Sequence, residues 1–199
     1  MQCRIVWIIG LGVLALGPLT ACNVIAAKAV SGASDEIIDE QSGSTLSVVT
    51  KPFVFARERT DVAAHARDYA TLVALELDQS GKYAYNLLLY RWSTVDRRMS
   101  PPPEDNTGKL QILAEGRTIE LTPLERVPIG LAKRKELHTP EHGDVVTHAY
   151  AIDVATLKFI ANSRVLSVRM PQETFDSPFS LWQDGRKELQ GFLLRVGAP

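Results

Sequence analysis

His138, Glu141, His142, Asp144 and His148 fall within eleven consecutive positions. Imidazoles and carboxylates at close spacing are the ligands that zinc and similar ions take, so His138, His142 and His148 are the metal-ligand candidates. Pro140 stands between the first two histidines and keeps them off one helical face, and the spacing fits no HExxH site. A polar loop running into a strand, with His148 on one strand face, accounts for the same residues, and no metal or other cofactor is expected. Nucleophilic chemistry has less to work with. There is no GxSxG elbow, Ser42 and Ser44 sit in a small, polar stretch ill suited to a preorganised site, and no Gly-rich run resembles a phosphate cradle. Glu76 and Asp78 are near enough to pair for acid–base work, but their spacing puts them on one solvated strand face. Arg91, Arg97 and Arg98 flank Trp92, as cation–π or anion binding would require; a strand end with charges reaching to water accounts for them better. Trp182 reads as a core or lid residue. No catalytic residue is assigned.

Charge narrows the partners. The 199 residues carry 22 basic and 23 acidic side chains, a net charge of -1. A nucleic-acid partner would ordinarily need a basic face, and none is expected.

The N-terminus is the most specific part of the chain. One positive charge, Arg4, precedes an uncharged apolar run from Ile5 to Leu16, which Gly17 and Pro18 break. The run falls short of the ~20 residues of a spanning helix and has the layout of a secretory signal. It ends in Leu19-Thr20-Ala21-Cys22. This tetrapeptide, with its aliphatic residue, two small residues and cysteine, resembles the lipobox of bacterial lipoproteins. The resemblance covers Met1 to Cys22 and implies a diacylglyceryl group on the Cys22 thiol and cleavage between Ala21 and Cys22; in that family the new amine is often acylated too. Each buried CH₂ contributes about 0.8 kcal/mol, so two or three acyl chains hold a protein on a membrane where one would not. In that family an aspartate after the cysteine tends to retain the protein at the inner membrane. Asn23 stands there instead, which implies the outer membrane and its periplasmic face. Of the two cysteines, Cys3 would leave with the signal and Cys22 would be capped, so no thiol would remain for a disulfide or a thiolate zinc site.

Three regions follow from this: a signal over residues 1–21, a lipidated N-terminus and flexible tether over 22–45, and a single β-rich, periplasm-facing domain over 46–199. The tether holds Asp35, Glu36, Asp39 and Glu40, with room for a helical turn around Ile37 and Ile38. Leu46 to Arg57 reads as a first strand, its Pro52 marking an edge or bulge, and Arg57 to Arg67 as a charged connection. Tyr69, Thr71, Val73, Leu75 and Leu77 alternate before Gln79-Ser80-Gly81-Lys82, and Tyr83, Tyr85, Leu87 and Leu89 alternate after it, which predicts a long hairpin. Its second strand is apolar on both faces near Leu87 to Trp92, which predicts a central, doubly covered strand with Trp92 buried. A second hairpin is predicted over Lys109 to Thr122. A connection from Pro123 to Asp144 follows, long enough to carry function. Strands are predicted over Val145 to Ile152, Arg164 to Met170 and Pro178 to Trp182. Asp153 is placed to cap a helix over Val154 to Ala161, and Leu189, Phe192, Leu193 and Val196 form a helical stripe. The fold class is α+β and β-rich, with antiparallel sheets or a sandwich and one or two short C-terminal helices. The Lys82 to Trp92 hairpin and Phe179-Ser180-Leu181-Trp182 resemble uncharacterised envelope lipoproteins of proteobacteria, a likeness that implies no activity.

The expected function is non-catalytic: a lipid-anchored component of an envelope assembly, held to the membrane by the acyl chains on Cys22 and joined to an envelope protein through a β surface or the long connection. The first alternative is a carrier of an apolar ligand such as a lipid, and the next is an envelope hydrolase. A carrier needs an enclosed apolar cavity, an adaptor an exposed apolar patch or open strand edge, and an enzyme a cleft with converging polar groups.

Overall fold

The computed structural model describes residues 32, 34–39, 43–95, 108–127, 131, 137–138, 140–141, 145–171 and 177–196. They form one ten-stranded antiparallel sheet and two short helices, a β-rich fold. The strands are β1 (Ser34–Asp39), β2 (Ser44–Val49), β3 (Phe53–Glu58), β4 (Arg67–Gln79), β5 (Lys82–Ser93), β6 (Leu110–Ala114), β7 (Arg117–Leu121), β8 (Val146–Ala151), β9 (Leu166–Arg169) and β10 (Phe179–Gln183). The helices are α1 (Val154–Asn162) and α2 (Arg186–Val196). Both predicted hairpins form, as β4–β5 and β6–β7. Asp153 caps α1 by accepting from the Thr156 backbone N–H.

β4 organises the sheet. β5 pairs along its whole length on one side, while β3 and β2 share the other side end to end, β3 against Arg67–Leu72 and β2 against Leu75–Asp78. Leu46 to Arg57 is therefore two strands, broken over Thr50 to Pro52. Proline lacks the N–H that a ladder needs there. From β3 the path continues through β10, β9 and β6 to β7, and from β5 to β8. The two ends then meet. The Leu124 N–H, just past β7, donates to the Ala149 carbonyl of β8 (2.8 Å). The Tyr150 hydroxyl donates to the Gly108 carbonyl, which leads into β6. Gly108 has φ +67, and a Cβ on it would lie 2.7 Å from His148 Nδ1, so this approach needs glycine.

Residues directly opposite across a pair share a face. The register thus gathers Phe53, Phe55, Ala70, Leu72, Ala74, Leu87 and Leu89 on the inner face, all buried. Ile112, Val168 and Phe179 continue that face across the far strands. α1 adds Leu157 and Ile160, and α2 adds Leu189, Phe192 and Leu193. Between sheet and helices remains a space of about 10 Å³ lined by Leu72, Ala74, Leu87, Ile112, Leu157 and Leu189. That is the volume of a single water position.

Several expectations are corrected. Ser34–Asp39 is a strand paired with β2, not a tether with a helical turn: Ile37 and Ile38 are β-branched, and Gly43 lies in the turn that enters β2. Glu76 is buried rather than solvated. Its partner across β5 is Tyr85, beneath the end of α2, whose Val196 carbonyl accepts from the Tyr85 hydroxyl (2.9 Å). β5 is buried on both faces over Asn86–Tyr90, as expected, but Trp92 is only half-buried because it stands past them at the strand end, and Trp182 is exposed. The long connection is not only surface, since Leu131 and Leu137 are buried in the core.

Candidate functional site

Three consecutive residues at the start of β4 present two different chemistries. Strand alternation turns Asp68 inward and Arg67 and Tyr69 outward. Inside, Asp68 Oδ2 accepts from Arg57 Nη2 (2.9 Å) and Arg59 Nη1 (3.3 Å), and Asp68 Oδ1 accepts from the Ser93 hydroxyl (2.7 Å). Arg59 also grips Asp61 through Nε and Nη2, each at 2.9 Å. Its pKa rises above the ordinary value, chiefly through that Asp61 bond. Both arginines are buried, and Arg57 lies 4.2 Å over the Phe179 ring. Buried guanidinium ions require such partners. Here the partners belong to the cluster itself, which ties together the ends of β3, β4 and β5.

Outside, Tyr69 and Trp92 face each other across the β4–β5 pair, stacked at 4.0 Å and 9°. Trp92 Nε1 donates to the Thr71 hydroxyl (3.3 Å). Trp182, on β10, meets Tyr69 edge-on at 6.4 Å and 81°. β3 lies between them, and its outward residue opposite Tyr69 is Ala56, small enough to let the indole reach across. The Arg67 guanidinium sits 4.6 Å over the Trp182 ring and pairs with Glu58 (3.3 Å). Trp182 remains 58% exposed. Aromatic faces with one guanidinium at the rim suit recognition; none of these groups is an activated nucleophile or a general base.

A second exposed feature is the edge. Among the described residues β1 pairs only with β2, leaving its other side unpaired, with Ile38 73% exposed. α2 holds β1 from the inner face through Arg195, which donates to the Ser34 hydroxyl (2.7 Å) and pairs with Glu36.

His138 and His148 are not brought together. His138 Nε2 lies 2.8 Å from the Val49 carbonyl, which can only accept, so this nitrogen carries the proton. His148 lies on β8 opposite Leu89, on the inner face beside Tyr150. β2 and β8 are separated by β4 and β5, three strand spacings or roughly 14 Å. Burial, and then the nearby Arg91, lower the His148 pKa. His142 lies outside the described residues, as do Leu19, Thr20, Ala21, Cys22 and Asn23. Among the described residues no three His, Cys, Asp or Glu side chains are placed to hold a metal ion, and no helix is long and apolar enough to cross a membrane.

The buried ion cluster escaped the reading of Arg57 to Arg67 as a plain charged connection. Parity would have found it: Arg57 is in step with Phe53 and Phe55, and Asp68 with Ala70 and Leu72. No protein-family model, no curated protein and no solved structure matches this chain.

Proposed function

We propose that this chain is a lipid-anchored envelope lipoprotein whose domain is a non-catalytic adaptor, held to the periplasmic face of the outer membrane by acyl chains on Cys22 and joined to an envelope protein through the open edge of β1. The observation that favours the adaptor over a carrier is the tight packing between sheet and helices among the described residues. A carrier of an apolar chain needs several hundred cubic ångströms, against about 10 Å³ between sheet and helices. An unpaired strand side offers main-chain hydrogen bonds to an added strand. Asp35 and the exposed Ile38 would favour a partner strand with basic and apolar side chains, Glu36 being taken by Arg195.

The anchor and the adaptor are tested separately. Cys22→Ser should abolish acyl labelling and cleavage; continued cleavage would reject the lipobox. Separation of the two membranes on a density gradient should place the wild type in the outer-membrane fraction, and recovery with inner-membrane markers would reject the role given to Asn23. A photocrosslinker at Ile38 should capture one envelope protein in living cells, while one at the exposed Lys187 of α2 should not. Capture of lipid alone at Ile38 would reject the adaptor.

A further inference from the structure

We infer that the Tyr69–Trp92–Trp182 face, with Arg67, seats on the zwitterionic headgroup layer of the same membrane that holds the acyl chains. The inference rests on the lipid anchor proposed above. Indole and phenol rings settle at the headgroup level of a bilayer because one part of each ring is apolar and the other polar. Both tryptophans beyond the signal lie in this one face. The Arg67 guanidinium over Trp182 can fork a phosphate. Glu58 beside it supplies a carboxylate for an ammonium group. One cation and one anion at the rim match a phosphate–ammonium headgroup better than a strongly anionic surface. The face is also preorganised, since its rings are stacked on strands whose ends the Arg57–Asp68–Arg59 cluster holds.

The length of the tether permits the contact. The Gly32 carbonyl is held by the Thr50 hydroxyl (3.1 Å), so the lipid-bearing segment joins the folded domain beside the start of β3. Cys22 to Gly32 can span at most about 35 Å. Thr50 lies four residues before Val54, which is opposite Thr71 and next in step to Tyr69, a distance on the order of 15–20 Å along the sheet. Anchor and ring face can therefore touch one bilayer together. Tethering makes the contact intramolecular, so a small aromatic face suffices.

The test uses the mature lipidated protein in phosphatidylethanolamine–phosphatidylcholine vesicles carrying lipid brominated near the headgroup end of its acyl chains. Once the signal has been removed, tryptophan emission reports on this face alone. The emission should shift to shorter wavelength and be quenched by the brominated lipid, with little response to added salt. Trp182→Ser, at an exposed position, should lose most of the quenching while flotation with vesicles and far-ultraviolet circular dichroism stay unchanged. Acylation of Cys22 is read by mass on the same samples. An acylated protein that floats with vesicles but shows no quenching overturns the seating and leaves the anchor standing. Quenching without acylation leaves the seating standing and overturns the anchor. Neither signal overturns both. Emission that responds to soluble cell-wall glycan or to protein concentration, and not to vesicles, also overturns the seating, in favour of a sugar or a second copy of the chain.

Discussion

At the scale of single residues, Asp68 and Glu76 are opposite cases of a buried carboxylate. Asp68 neutralises two buried arginines. Asp68→Ala would remove the carboxylate that the two buried arginines share, while Asp61 still holds Arg59, and should cost about 3 kcal/mol, visible as a lower urea midpoint with an unchanged slope. An unchanged midpoint would mean that water reaches Arg57 and Arg59. Glu76 lies opposite Tyr85 rather than a guanidinium, and burial raises its pKa, opposed by the nearby Tyr85 phenol. The Tyr85 phenol is itself pushed up to about 12, first by burial and then by Glu76. A carboxyl with a raised folded pKa stabilises the fold fully below its unfolded value near 4.5, and that contribution is lost as pH rises through the folded value. Glu76→Gln should therefore melt like wild type at about pH 4 and at a higher temperature at about pH 7.5. Equal melting curves at both would show that Glu76 is hydrated. Residue-scale features were legible only where strand parity betrays them. His138 and His148 are close in sequence yet lie against different strands, β2 and β8, which no spacing rule reveals.

At the scale of elements, local signals carried most of the reading. β4, β5 and both helices follow from period-2 and period-3.6 patterns, and the Asp153 cap from residue type alone. β1 was missed because its pattern is weak and acidic; it becomes a strand only by pairing with β2, a tertiary effect. The closure of the sheet was illegible for a similar reason, since Gly108 shows its role only once His148 lies against it. Gly108→Ala should cost about 2–4 kcal/mol, combining backbone strain with the clash. Gly116→Ala shares a positive φ of +76 but meets nothing within 4 Å, and should cost only about 1 kcal/mol. Equal losses in melting experiments would mean that the β6–β8 approach yields easily.

At the scale of the whole molecule, the centre of the sheet is buried on both faces: the inner face packs against α1 and α2, and Val73, Leu75, Leu88 and Tyr90 of the outer face are fully buried as well, which leaves the strand-end ring of Trp182 and the rim of β1 at Ile38 exposed. The two lie on different parts of the surface, at opposite ends of β4, so the two proposals above do not compete for one site. None of this arrangement could be read from sequence, because strand order depends on which edges meet across long stretches of chain.

The position of β10 has a consequence for the order of events during synthesis. It lies between β3 and β9, with Phe55 opposite Leu181 and Phe179 opposite Val168, although it is made after every other strand described. A growing chain thus has β3 in hand long before β10, which follows β9 after only a short connection, and a pairing as distant in sequence as β3 with β10 forms slowly. Chains stalled on the ribosome and ending before Phe179 should remain sensitive to protease, whereas chains extended past Val196 and clear of the exit tunnel should become resistant. Early resistance would show that the other strands close without β10. A keystone strand made last delays closure of the sheet until synthesis is nearly complete.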